Sequence, residues 1–147
     1  MPTKRRGKNS VTVQYAVPRR GVPAAALLRK WARCASSDPL TVRIVGEREG
    51  RSLNRTFRKI DHATNVLSFA YDKCGGDIVL CHPVIRREAL AQGKSLAAHY
   101  AHLVVHGVLH LRGCQHEKKR DAARMEAREI RLLRRLGVRN PYAPNVE

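Results

Sequence analysis

Three histidines, at 106, 110 and 116, are the residues of this chain whose type and spacing could do chemistry. They lie in the stretch His106-Gly107-Val108-Leu109-His110-Leu111-Arg112-Gly113-Cys114-Gln115-His116. Two side chains four residues apart on a helix share one face, one turn apart, so both imidazoles can reach a single ion. Gly113 can adopt the left-handed backbone that ends a helix, after which the chain turns back and delivers His116. Three neutral imidazoles on a divalent ion leave one coordination position for water. That is the arrangement of a catalytic centre, since structural zinc sites are usually closed by four protein ligands. Such an ion lowers the pKa of bound water towards neutrality and polarises a phosphoryl or carbonyl oxygen. The expected cofactor is one divalent metal; zinc suits three imidazoles best, and nickel, cobalt and copper also bind them. The other four histidines, His62, His82, His99 and His102, carry no such pattern, although His102 stands one turn before His106 and is a formal fourth ligand.

The ligand spacing is that of the metzincin site, H-E-x-x-H-x-x-G-x-x-H, with Gly107 where those proteases carry their glutamate base. A metalloprotease reading therefore lacks its general base. As base for metal-bound water acting on a phosphate ester, Glu117 is a candidate, though a solvated residue at a helix start is the plainer reading.

The elements that must position these groups follow from periodicity and breaks. Residues 11–17 alternate apolar and polar and are expected to form a strand. Pro23 opens a helix over 24–35. Leu40–Val45 is a second strand, and 53–58 a short helix. Val66–Ala70 and 77–81 flank Gly75 and Gly76 as two more strands. A helix over 83–92 stops at Gly93. Ser95 starts the helix that carries His106 and His110, and a last helix covers 118–136. On that last helix Arg124, Arg128, Arg131 and Arg135 form one basic stripe, with Met125, Leu132, Leu133 and Leu136 on the core side. Glu126 and Glu129 are expected to balance the stripe at the surface. The stripe is either a solvated face or a track for phosphates. The pattern predicts a flexible basic arm over 1–10 and a single domain over 11–147. The expected fold class is α+β: a small mixed sheet of about four strands with helices packed on it, the three-His site on a helix and its following turn.

The 147 residues include 29 Lys and Arg against 12 Asp and Glu, a formal net charge of +17. Such a surface attracts polyanions, of which nucleic acid is the commonest in a cell. Aromatic residues make up 5%, so phosphate contacts should dominate over stacking on several rings. The cysteines, Cys34, Cys74, Cys81 and Cys114, form no C-x-x-C pair and fit reduced thiols in a cytoplasmic protein. No secretory segment or membrane span is expected, because no long apolar run follows the basic start or occurs elsewhere.

A second stretch runs Leu53-Asn54-Arg55-Thr56-Phe57-Arg58-Lys59-Ile60-Asp61-His62-Ala63-Thr64-Asn65-Val66-Leu67-Ser68-Phe69. With Gly76-Asp77-Ile78 and the three histidines, it resembles the YbeY family of metal-dependent endoribonucleases. That family shows L-N-x-x-[YF]-R-x-K-D-x-P-T-D-V-L-S-F, then G-D-I, then H-G-x-L-H-L-x-G-Y-D-H. The likeness spans about residues 50 to 140. It implies an α+β fold and a metal-dependent single-strand endoribonuclease that matures the 3′ end of small-subunit ribosomal RNA and serves ribosome quality control. It also implies partners among rRNA, ribosomal proteins or a ribosome-associated GTPase, and no membrane. His106, His110 and His116 match the family's metal ligands. Arg58 matches its cleft arginine, whose guanidinium could hold a phosphate through two parallel hydrogen bonds. Thr64 and Ser68 match as well, with backbone satisfaction the simplest role for a hydroxyl there. Asp61 and Asp77 could orient ligands or cap elements. The chain departs at Ile60 for Lys, Ala63 for Pro, Asn65 for Asp, Cys114 for Tyr and Gln115 for Asp. Two acids expected near the site are thus amides, which keep the shape and lose the charge. Two rival functions remain: a non-catalytic ribosome-binding factor whose metal staples the fold, and a protease.

Overall fold

A computed structural model describes residues 10–112 and 119–143. The chain order is β1 (Val11–Tyr15), α1 (Ala25–Ala35), β2 (Leu40–Val45), α2 (Glu47–Arg58), β3 (Val66–Ala70), β4 (Gly76–Cys81), α3 (His82–Ala91), α4 (Leu96–Leu111) and α5 (Lys119–Arg135). The four strands form one sheet in the order β1-β2-β4-β3. β1 and β4 each run parallel to β2, with Leu40 between Val11 and Gly76. β3 returns antiparallel on β4, Val66 facing Leu80. This is the mixed four-stranded α+β architecture expected of the sequence.

The side-chain period of two sorts each strand between two cores. Leu40, Val42, Ile44, Ile78 and Leu80 join Leu28, Trp31 and most of α4 in the main cluster. Val45, Val79, Cys81 and Leu67 face the other way, into a smaller cluster with Leu53 of α2. Burying one such aliphatic side chain contributes about 1.5–3 kcal/mol.

The central piece is α4. It is apolar nearly all round, as a helix buried on several sides must be, and it packs on α1, α3, α5, β3 and β4. Its start is fixed by Ser95, whose hydroxyl accepts the Ala98 N–H at 3.1 Å. Gly107 lets it lie close to the sheet: a Cβ there would sit 3.2 Å from Ile78 side-chain atoms and from Ser68 Oγ. The residue that replaces the protease glutamate thus also gives α4 a close fit against the sheet.

Most element limits fall within two residues of expectation. The exception is α2, which begins six residues before the expected 53. Its first turn holds Glu47 and Glu49, favourable at a helix N-terminus, but too few apolar residues to show a period. Gly50 covers the gap by sitting against Cys81, whose Sγ would be 3.0 Å from an added Cβ.

Of the cysteines, Cys34, Cys74 and Cys81 are free. Residues 1–9 of the expected basic arm lie outside the described residues. So does the turn at Gly113, with Cys114, Gln115, His116 and Glu117. Among the described residues, no helix is long and apolar enough to cross a membrane.

Candidate metal centre and cleft

Three elements meet at one pocket. The end of α2 supplies Phe57 and Arg58, β3 supplies Val66, Leu67, Ser68 and Phe69, and α4 supplies His106 and His110. The pocket measures about 560 Å³, within the range of about 300–1,000 Å³ usual for ligand sites.

α2 ends where it does because Lys59 takes a left-handed conformation, φ 61°. Its N–H and that of Ile60 then close on the last carbonyls of the helix, Arg55 O and Asn54 O. Asn54 is fully buried, and its Nδ2 donates to His62 O at 2.7 Å, pinning the loop that leads to β3. In the stretch Leu53-Asn54-Arg55-Thr56-Phe57-Arg58, Leu53 thus packs inward, Asn54 holds the loop, and Phe57 and Arg58 are left facing the pocket.

His106 and His110 stand one turn apart, with ring centroids 6.2 Å apart and planes inclined by 20°. Burial pushes the His110 pKa below its usual value, and the charges of His106 and Arg58 push the same way. The ring is thereby kept neutral, the form in which an imidazole binds a metal. Ser68 Oγ donates to Gly107 O at 3.2 Å, tying β3 to the histidine helix. Its hydroxyl thus satisfies backbone.

Behind His106 lies a group that sequence reasoning placed wrongly. Glu129, expected on the solvated face of α5, is 0% exposed. Its Oε1 accepts a short hydrogen bond from His106 Nδ1 and its Oε2 one from the Tyr142 hydroxyl. His102 Nε2 stands 3.6 Å from Oε2 and 3.3 Å from the Tyr142 hydroxyl. Burial alone would raise the Glu129 pKa, but hydrogen bonds from His102, His106 and Tyr142 outweigh it and hold the carboxyl at about 2. An ionised carboxylate only accepts, so His106 carries a proton on Nδ1, which leaves Nε2 as the ring nitrogen that can bind a metal. A carboxylate behind a metal-binding imidazole commonly fixes ring and tautomer in this way. The signal in the sequence was the i, i+4 spacing of Met125, Glu129 and Leu133, which sets Glu129 among core residues.

One donor atom from each of His102, His106 and Glu129 lies within 4.8 Å of the others, close enough to hold an ion. In that cluster both oxygens of Glu129 are already taken by hydrogen bonds from His106 and Tyr142. The imidazoles that also line the pocket are His106 and His110, and their shared face and lone pairs fit a divalent ion that takes nitrogen ligands.

The pocket brings together Arg58, His106 and His110. His116 lies outside the described residues. Asn65, expected near the site as a lost acid, does not line the pocket: its Nδ2 donates to Glu88 Oε1 at 3.0 Å, and its Oδ1 accepts the Val66 N–H. Asp61 is turned outward, held by Nε and Nη2 of Arg51. Asp77 accepts from the Tyr71 hydroxyl. On α5, Arg124, Arg128, Arg131 and Arg135 are all exposed, while Met125 and Leu133 are buried as expected.

The family model described as Endoribonuclease YbeY matches residues 22–137. A protein of Aromatoleum aromaticum named Endoribonuclease YbeY is 52% identical over 142 residues, covering 91% of this chain and 92% of that protein. The protein of the same name from Nitrosomonas eutropha is 50% identical over 137 residues, 90% of this chain and 97% of its own. That from Stenotrophomonas maltophilia is 48% identical over 149 residues, 90% and 92% of the two chains. A solution structure from Thermotoga maritima shares the fold at a TM-score of 0.57 and 21% identity, covering 92% of this chain and all of that one.

Proposed function

Since the chain belongs to the endoribonuclease YbeY family, we propose that it is a metal-dependent endoribonuclease that cuts single-stranded RNA during ribosomal RNA maturation. The observation that carries this reading is the meeting of Arg58, His106 and His110 at one pocket in a chain of net charge +17.

Each residue has a role that follows from its chemistry. His106 and His110, with His116 as the third donor, hold one divalent ion, zinc by the nature of three imidazoles. When bound, that ion supplies Lewis-acid polarisation of a phosphoryl oxygen and an acidified water. Glu129 keeps the His106 proton on Nδ1 and the ring in place. Arg58 grips the scissile phosphate through two N–H groups and offsets the negative charge that grows on its oxygens as the bond breaks. The positive surface draws RNA in and makes binding depend on salt. The substrate is rRNA of the small subunit near its 3′ end, with ribosomal proteins or a ribosome-associated GTPase as partners, and the protein works in the cytoplasm. A protease is disfavoured: Gly107 supplies no base, and a side chain there would press on Ile78 and Ser68.

Metal analysis of the purified protein, paired with RNA-end mapping, tests the reading. About one ion per chain and RNA cleavage lost on chelation are expected. Fragments ending in 5′-phosphate and 3′-hydroxyl would indicate attack by water, and a 2′,3′-cyclic phosphate attack by the RNA's own 2′-hydroxyl. Cleavage that persists in a chelator would sink the proposal. A folded, RNA-binding protein that never cleaves would point instead to a ribosome-binding factor.

A further inference from the structure

The chain has two phenylalanines, and both are in the same place. Phe57, on the last turn of α2, meets Phe69 of β3 edge-to-face, with centroids 5.0 Å apart and planes at 65°. Both line the pocket of Arg58, His106 and His110. Phe69 packs against the smaller core cluster, but Phe57 does not belong to it and is 61% exposed. Packing therefore does not account for the ring of Phe57. The contact with Phe69 orients that ring and leaves most of its surface in water.

What covers such a ring must also suit its neighbour Arg58, which is exposed and lines the same pocket. An apolar protein partner would have to desolvate that guanidinium group at a cost. A single strand of RNA meets both demands, since its phosphates pair with arginine while its bases present flat π faces.

We propose that Phe57, propped by Phe69, is a stacking platform for one unpaired nucleobase. The base belongs to the nucleotide next to the phosphate that Arg58 grips. This rests on the nuclease reading above and adds a base subsite to it. A base within a duplex has both faces taken by its neighbours, so the platform selects strands that can splay a base outwards. Every base has a π face, so it selects single strands without reading their sequence.

Three substitutions and two oligomers test the platform. Phe57→Leu keeps an apolar side chain against Phe69 and removes the π face; Phe57→Tyr and Phe57→Trp keep the face. On single-stranded RNA, Phe57→Leu is expected to lower kcat/KM by about 5- to 150-fold, while the Tyr and Trp variants retain it and all three keep the wild-type melting temperature. The native chain has one tryptophan, the buried Trp31, so the fluorescence of the Phe57→Trp variant can be followed against a steady background. Single-stranded RNA should quench it, and a base-free ribose-phosphate oligomer of equal length should not. Equal quenching by the two oligomers would overturn the proposal, as would a Leu variant as active as wild type or a loss shared equally by Leu, Tyr and Trp. The quenching needs no turnover. An inactive wild-type protein would therefore count against the nuclease reading alone, with the platform still read from the two oligomers.

Discussion

Helix α4 carries two imidazole–carboxylate pairs that look alike and serve different ends. His106 Nδ1 is bonded to Glu129 of α5, and His99 Nε2 to Glu88 of α3 at 2.9 Å. In each pair a histidine of the central helix meets a glutamate of a neighbouring one. The difference lies at the other nitrogen. The His106 side chain is 39% exposed and its ring borders the pocket. The His99 side chain is 4% exposed, and its Nδ1 is buried without a hydrogen-bond partner. The same pairing thus leaves a ring nitrogen open to a ligand in one case and ties α3 to α4 in the other. A carboxylate behind an imidazole becomes part of a site only when the far side of the ring opens on a space that something can enter.

The most severe break of this contrast is at the pocket itself. His110→Ala removes one of two imidazoles that share a face. Metal-dependent RNA cleavage is expected to fall by more than about 100-fold, because partners outside the ligand set alone are worth about 10–100-fold. His99→Gln, on the same helix, should leave the metal content unchanged. Metal analysis and initial rates on the two proteins decide it; equal losses would erase the distinction.

Next comes the carboxylate behind the open ring. Glu129→Gln keeps shape and one acceptor but no longer holds the His106 proton by charge. Metal affinity measured by titration calorimetry should weaken about 10–100-fold. The matching change at the closed pair, Glu88→Gln, should leave metal affinity at the wild-type value and cost about 1–3 kcal/mol of stability, because Asn65 and His99 lose a charged partner. Tighter metal binding in Glu129→Gln would contradict its assigned role.

The smallest effect separates the pairs by pH. His99 has its pKa lowered, burial outweighing the opposing pull of Glu88. The folded state then binds fewer protons than the unfolded chain just below the usual value of 6.5, so stability should fall as the pH drops through 6.5 and level off once the folded value is passed. His82, also buried and bonded to the Tyr100 hydroxyl, adds to the same window. Glu129, held at about 2 against an ordinary 4.5, gives stability that persists through this window and is lost only as the pH falls from 4.5 towards 2. Urea denaturation of apo-protein at pH 8, 6 and 5 measures the first window. A His99→Gln protein should show a shallower slope, and an unchanged slope would assign the loss elsewhere.

Particular residues show where the sequence was legible. The placement of His106 and His110 on one helix face needed only the 3.6-residue turn, and Ser95 announced the start of that helix. Met125 and Leu133 fell inward on the same rule. Glu129 shares their spacing, yet its charge suggested solvent, because nothing local shows that a histidine 23 residues earlier will be there to receive it. The family pattern, which carries an acid at this position, put Asn65 near the site. The turn before β3 instead sets its amide on Glu88, outside the lining of the pocket. The first half of α2 was illegible because a helix stabilised by end charges and a close glycine contact shows no apolar period.

The sequence by itself determined the repeating local geometry: which residues share a helix face, which alternate across a strand, where the backbone turns, and the sign of the surface. These follow from contacts between residues a few places apart, which any stretch of chain carries with it. Only the tertiary structure decided which side chains face each other across elements. It put Glu129 behind His106, Phe57 against Phe69 and Arg58 beside the imidazoles, because burial and charge pairing depend on how whole elements pack, and that packing is set by the two cores together.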